Sequence, residues 1–249
     1  MKFFFAPMQG LTGYTVRNAF HHHFDYIDKY YTPFIPAAKR MNAKIKRDID
    51  PINNDGITLI PQAMSIVADE VIDLHRQLVP YGYDEINVNL GCPSGTVVSK
   101  KRGSGILAYP DMLDSFLDEL YTKADFPVSI KTRVGFNDDE LWPRLIEIYS
   151  KYPISELTVH PRVQKDFYKN TPRMDDFALA MQKINPDKTT LCYNGDITDI
   201  NSFNALTDCF PDIDEIMIGR GLFANPALIA ELKGISCLLY TSPSPRDRG

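Results

Sequence analysis

Eight short runs rich in β-branched and aromatic residues alternate along the chain with longer segments of helical period, and this alternation restricts the fold more than any other feature. The runs are Lys2–Ala6, Tyr26–Phe34, Ile57–Ala63, Glu85–Asn89, Val128–Thr132, Glu156–His160, Thr189–Asn194 and Glu215–Gly219. Apolar periodicity places helices between them, among others at Ala68–Leu78, Asp111–Lys123, Asp139–Lys151 and Asp175–Ile184. Eight βα units in 249 residues predict an α/β fold, a (β/α)8 TIM barrel. A doubly wound parallel sheet is the runner-up. It accounts for the alternation equally, but no G-x-G-x-x-G follows the first run, as a dinucleotide-binding sheet leads one to expect.

The unusual residues gather where such a barrel places its chemistry, at the carboxyl ends of the strands. Pro7-Met8-Gln9-Gly10 closes the first run, Pro61-Gln62 the third and Gly91-Cys92-Pro93 the fourth. Lys131-Thr132-Arg133 closes the fifth, His160-Pro161-Arg162 the sixth, Asn194-Gly195-Asp196 the seventh and Gly219-Arg220-Gly221 the eighth. One mouth of the barrel is therefore expected to carry the active site.

Composition narrows the setting. With 44% hydrophobic and 24% charged residues, the chain has the balance of a soluble globular protein. No apolar stretch approaches the ~20 residues of a membrane helix. The amino-terminal MKFFFAPMQG is too short an apolar run for a signal peptide and is interrupted by Pro7. Cys92, Cys192, Cys209 and Cys237 show no C-x-x-C spacing, so a reducing, cytoplasmic location is expected. The net charge is -5, and a nucleic-acid partner would have to be attracted by a local basic face. Two basic clusters follow the second and fourth runs: the segment Lys39-Arg40-Met41-Asn42-Ala43-Lys44-Ile45-Lys46-Arg47, expected as a loop, and Lys100-Lys101-Arg102. Arg133, Arg162, Lys165 and Lys169 are expected to join them on the rim. His21-His22-His23 is read as surface and no metal site is expected, because consecutive helical residues point in different directions.

The ordered set APMQG, NLGCPS, KTRVGF, VHPR, NGDI and IGRGLFANP resembles the tRNA-dihydrouridine synthase family, from Phe5 to about Lys233. The resemblance implies an FMN-bearing catalytic barrel over residues 1–234 that reduces uridine in tRNA to 5,6-dihydrouridine, with NADPH as reductant. It further implies that His160 contacts the flavin, that Gln62 hydrogen-bonds its ring, and that Pro7 and Met8 line it. A monomer is expected.

The chemistry agrees with each assignment. Asn194, Gly195, Asp196, Gly219 and Arg220 stand where the last two loops of a barrel hold phosphate, with glycines admitting close backbone approach. Lys131 would bring a cation to the flavin edge that gains negative charge on reduction. Reducing the carbon 5–carbon 6 bond of uracil needs a hydride at carbon 6 and a proton at carbon 5, and Cys92 is the expected proton donor because a neutral thiol serves as general acid. The competing role for Cys92 is a small buried apolar residue, against which the Gly-Cys-Pro turn argues. Asn89 should face the same mouth, and Arg133, Arg162, Lys39, Arg40, Lys100, Lys101 and Arg102 are the expected RNA-side contacts.

Two rivals differ in class. A dihydroorotate dehydrogenase-like FMN oxidoreductase would use Cys92 as base, and an RNA-binding barrel would have no redox role. After Gly234 the chain loses helical period, and Pro243 and Pro245 forbid continuing the last helix. Residues 235–249 are similar to translated adapter read-through. The tail is expected to be non-native or disordered, the barrel to be incomplete at its carboxyl end, and a helical carboxyl-terminal domain found in the family to be missing.

Overall fold

The computed structural model describes residues 1–24, 26–37 and 40–235. Its strands are β1 (Lys2–Phe5), β2 (Lys29–Tyr31), β3 (Ile35–Pro36), β4 (Leu59–Ile60), β5 (Gln62–Met64), β6 (Ile86–Leu90), β7 (Val128–Gly135), β8 (Glu156–Val163), β9 (Thr190–Tyr193) and β10 (Glu215–Ile218). They form one parallel sheet in the order β3-β5-β6-β7-β8-β9-β10-β1-β2-β4. Pro33 lies between β2 and β3 and Pro61 between β4 and β5; a proline has no N–H for the ladder, so each pair is one barrel strand broken once. Because β2 pairs with β4 and β3 with β5, the two ends of the order meet. The ring of eight strands closes, and the open edges of a doubly wound sheet are absent among the described residues.

The helices between the strands are α1 (Tyr14–His23), α2 (Ala43–Ile49), α3 (Ala68–Leu78), α4 (Gly95–Val98), α5 (Pro110–Lys123), α6 (Trp142–Ser150), α7 (Met174–Lys183), α8 (Ile200–Cys209), α9 (Arg220–Ala224) and α10 (Leu228–Leu232). The Lys39–Arg47 segment is therefore not wholly a loop. Lys44, Lys46 and Arg47 stand on α2, which starts because Asn42 caps it, accepting the Ile45 N–H at 3.0 Å. Helix α6 begins at Trp142 rather than near Asp139, with Pro143 in its first turn, where a missing N–H costs nothing. Leu228, Ile229 and Ala230 of α10 are buried, so the last described helix packs onto the barrel. The tail from residue 236 onward lies outside the described residues. His22 and His23 are exposed at the end of α1, and His21 is half-buried. Among the described residues no helix is long and apolar enough to cross a membrane.

Alternation along each strand divides the interior into two shells. Residues such as Ile86, Val88, Leu90, Val128, Ile130, Leu157 and Val159 face the helices in one continuous cluster. Phe4, Ala6, Tyr31, Ile60, Cys192 and Met217 fill the lumen. Polar lumen residues lie on the strands' other face: Asn87 and Asn89 on β6, Lys131 and Arg133 on β7, His160 and Arg162 on β8. Adjacent strands bring Asn89 level with Lys131 and Arg133 level with His160.

Candidate active site

A buried amide cannot be left unpaired without cost, and the amides of the lumen satisfy one another. Gln62 donates from Nε2 to Asn87 Oδ1 at 2.8 Å, Asn89 donates from Nδ2 to Gln62 Oε1 at 2.7 Å, and Asn87 donates from Nδ2 to Ser129 Oγ at 3.0 Å. Asn89 Oδ1 then accepts the backbone N–H groups of Gly91 and Cys92, which turns the chain at the end of β6. From the other side, Ser104 donates its backbone N–H (3.1 Å) and its hydroxyl (2.8 Å) to the Cys92 carbonyl. The Cys92 backbone is thus held at both ends while its side chain stays half-buried. Burial pushes the thiol above its ordinary range, outweighing the Ser94 backbone hydrogen bond and the charges of Arg133 and Lys131. It is a protonated thiol at neutral pH.

Lys131 Nζ donates to Asn194 Oδ1 at 2.6 Å, and Asn194 in turn donates to the Met217 carbonyl at 2.7 Å. Among the described residues no carboxylate pairs with the ammonium, and burial and the neighbouring Arg133 push its pKa down to about 7. Arg133 is 2% exposed and donates to three backbone carbonyls: Gly91 at 3.0 Å, Val163 at 2.9 Å and Phe167 at 2.7 Å. It ties the Cys92 turn to the loop after β8.

Arg162 is likewise buried. Its guanidinium forms a bidentate pair with Asp196 and donates to the carbonyls of Lys169 and Asn170. Arg220 donates to the same carboxylate at 2.6 Å. Although burial alone would raise it, the Asp196 carboxyl is held below its ordinary range by hydrogen bonds and charge from Arg162 and Arg220. Two guanidiniums against one carboxylate leave a net positive charge at this end of the mouth. Tyr168 stacks on His160, with ring centroids 6.4 Å apart, and the guanidiniums of Arg133 and Arg220 lie over its ring at 5.7 and 4.9 Å.

A cavity of about 410 Å³ opens among these groups. Pro7, Met8, Gln62, Asn89, Cys92, Lys131, Arg133, His160, Asn194, Gly195, Asp196, Gly219 and Arg220 all line it. Arg162 does not: expected on the rim, it is enclosed because β8 continues to Val163, carrying it inside the strand with its donors turned to loop carbonyls. Arg133 reaches the cavity wall, but its donors are engaged by backbone for the same reason, β7 continuing to Gly135. Lys100 and Lys101 are exposed and Arg102 is half-buried against Glu70 at 3.1 Å. Arg40 is exposed, and none of these four lines the cavity. Lys39 lies outside the described residues. The glycines of the last two strand ends are also closely packed. A Cβ on Gly195 would meet the Tyr193 hydroxyl at 2.0 Å and one on Gly221 the Ile197 carbonyl at 2.1 Å, so neither position has room for a side chain unless a neighbour moves. The sequence patterns did not point to Tyr168, Ser104 or Gly103. None belongs to a strand-end cluster, and only the fold brings them to the site.

Fold and cavity together define a (β/α)8 barrel with a polar, thiol-bearing pocket at the carboxyl mouth of its strands. The chain belongs to the dihydrouridine synthase family, whose profile, described as Dihydrouridine synthase (Dus), matches residues 4–239. It is 26% identical over 243 residues to tRNA-dihydrouridine synthase B of Pasteurella multocida (strain Pm70), covering 94% of this chain and 69% of that protein. It is 30% identical over 183 residues to tRNA-dihydrouridine synthase B of Shigella flexneri, covering 73% of this chain and 56% of that protein. The matched region thus spans between about half and about two thirds of these relatives. Among solved structures, a variant of NCR from Zymomonas mobilis superposes with a TM-score of 0.63 at 11% identity, covering 98% of this chain and 92% of that one; this likeness concerns the fold alone.

Proposed function

We propose that residues 1–234 are the catalytic barrel of a tRNA-dihydrouridine synthase that holds FMN in the mouth cavity and reduces uridine in tRNA, with NADPH as reductant. The single observation that carries this reading is the convergence on one cavity of a protonated, backbone-clamped Cys92, of Lys131 with no carboxylate partner among the described residues, and of Asp196 and Arg220, behind which the buried Arg162 leaves the cluster net positive. The family match and the names of the relatives supply the substrate class.

The residues present fit the cofactor. The cavity lies within the ~300–1,000 Å³ usual for such ligands and offers an apolar wall of Ala6, Pro7, Met8 and Leu11 beside polar groups. Gly219 packs closely on this wall, since a Cβ on it would sit 3.3 Å from Ala6 Cβ and 3.7 Å from Met8 Sδ. Gln62, Lys131 and His160 would hold the ring system, and Asn194 and Arg220, backed by Asp196, the phosphate end. When bound and reduced, FMN supplies the hydride for carbon 6 of uracil. Cys92 supplies the proton for carbon 5: its S–H bond breaks, a carbon–hydrogen bond forms, and the thiolate recovers a proton from solvent. Asn89 and Ser104 hold the sulfur's backbone still during this transfer. Lys131, near neutrality when buried alone, takes up a proton beside an anion. The exposed cations Arg40, Lys44, Arg47, Lys100 and Lys101 meet the phosphate backbone of the RNA.

Cys92→Ala tests the reading. The variant should keep FMN and still be reduced by NADPH, while dihydrouridine formation on unmodified tRNA falls by ~10²-fold or more. Product made at the parental rate would remove the thiol from the reaction.

A further inference from the structure

Arg162 is 1% exposed, and each of its five N–H donors has an acceptor. Nε faces the carbonyls of Lys169 and Asn170 at 2.9 and 3.1 Å. Nη2 faces the Asn170 carbonyl at 2.6 Å and Asp196 Oδ2. Nη1 faces Asp196 Oδ1 at 2.9 Å and, at 3.2 Å, Nε2 of His160. The last contact has only one chemical solution. A guanidinium remains protonated in proteins and has no lone pair to offer, so the lone pair must belong to the imidazole. We infer that Arg162 is a positioning residue that locks His160 as its Nδ1–H tautomer, so that the ring presents a hydrogen-bond donor to the cavity.

The fold brings the two side chains together. His160 and Arg162 are two residues apart on β8, where the register with β7 shifts between His160 and Val163, and their side chains meet at 3.2 Å. The strand's continuation to Val163 and the carboxylate of Asp196 hold the guanidinium in place. With Nε2 accepting from Arg162, Nδ1 carries the ring's proton and is the one N–H donor that His160, which lines the cavity, can offer. Its charged form is disfavoured first by burial and then by Arg133, Lys131, Arg162 and Arg220, all of which push the imidazole well below its ordinary pKa. A neutral Nδ1–H ring recognises an oxygen acceptor, a carbonyl or a phosphate oxygen, and does not act as a base on the ligand. That the acceptor belongs to a flavin rests on the function proposed above; the tautomer does not.

The test is made on the flavin-free full chain labelled with ¹⁵N-histidine. Two-bond ¹H–¹⁵N correlation spectra distinguish the tautomers, and the loss of one ring's signals in His160→Gln assigns His160. The expected result is a pyridine-type Nε2 and a pyrrole-type Nδ1, unchanged between about pH 6 and about pH 8, the range in which an ordinary histidine titrates. An Nε2–H ring, or an imidazolium in that range, overturns the inference. Arg162→Met, if its circular dichroism and melting are parental, should relax His160 to a mixture of tautomers; an unchanged Nδ1–H signature there would show that Arg162 does not set it. Should Arg162→Met fail to fold, the wild-type spectrum decides alone. A correct tautomer in a protein that does not bind added FMN would sink the flavin reading and leave this one standing.

Discussion

Asn89 accepts the backbone N–H of Cys92 through Oδ1 at 2.8 Å while donating from Nδ2 to Gln62 Oε1 at 2.7 Å. One side chain thus couples the turn that carries the thiol to the amide network of the lumen. Asn89→Ala leaves the Gly91 and Cys92 N–H groups and the Gln62 oxygen without partners, and should cost about 1–3 kcal/mol in urea denaturation. Asn89→Asp keeps the acceptor and should preserve the turn better. Equal stability of Asn89→Ala and the parent would remove Asn89 from this role.

Gly103 has φ +55, and a Cβ on it would lie 2.7 Å from the Cys92 carbonyl oxygen and 3.0 Å from Cys92 Cβ. Gly10 has φ +79 but meets nothing within 4 Å. Gly10→Ala should therefore lose only the ~1–2 kcal/mol of a left-handed alanine, whereas Gly103→Ala adds a steric clash worth about 1–3 kcal/mol. Only Gly103→Ala should also change the rate at which iodoacetamide alkylates Cys92. Matching losses in the two variants would mean the loop gives way without disturbing the thiol.

Lys131 titrates near 7 when folded, against an ordinary 10.5. Between these values the unfolded chain carries a proton that the folded one lacks, so this residue makes stability rise as pH rises through that window. In Lys131→Met the slope is absent. Comparing urea midpoints of flavin-free protein at pH 7 and pH 9, the parent should gain relative to Lys131→Met. A constant difference would place the Lys131 pKa outside the interval.

Exposure separates the basic residues near the mouth. Lys100 and Lys101 are exposed, while Arg102 is paired with Glu70. Neutralising Lys100 and Lys101 together should reduce the slope of log affinity for tRNA against log salt by about 0.7–0.9 for each phosphate that is no longer neutralised. Arg102→Gln should leave the slope nearly unchanged. The reverse pattern, measured by filter binding across a salt series, would exchange their roles.

Period-2 patterning is a property of neighbours in the chain, which is why the eight strands and the inward-facing Asn89, Lys131 and His160 were legible without coordinates. The motifs at the strand ends likewise named most of the cavity wall. Whether a cation faces RNA or the protein's own backbone is settled by groups far away in sequence. Arg133 bonds the Gly91 carbonyl 42 residues earlier, and Arg162 bonds Asp196 34 residues later. Nothing local to KTRVGF or VHPR announces those partners, so both arginines read as rim charges until the strands were seen to continue past them. Tyr168 carries no periodic signal either, standing on an exposed loop whose Phe167 and Asn170 carbonyls are held by the two arginines. Local alternation determined the barrel and the face each strand turns inward. Tertiary structure alone decided which charges lost their water, because desolvation depends on what packs against a side chain from elsewhere in the fold.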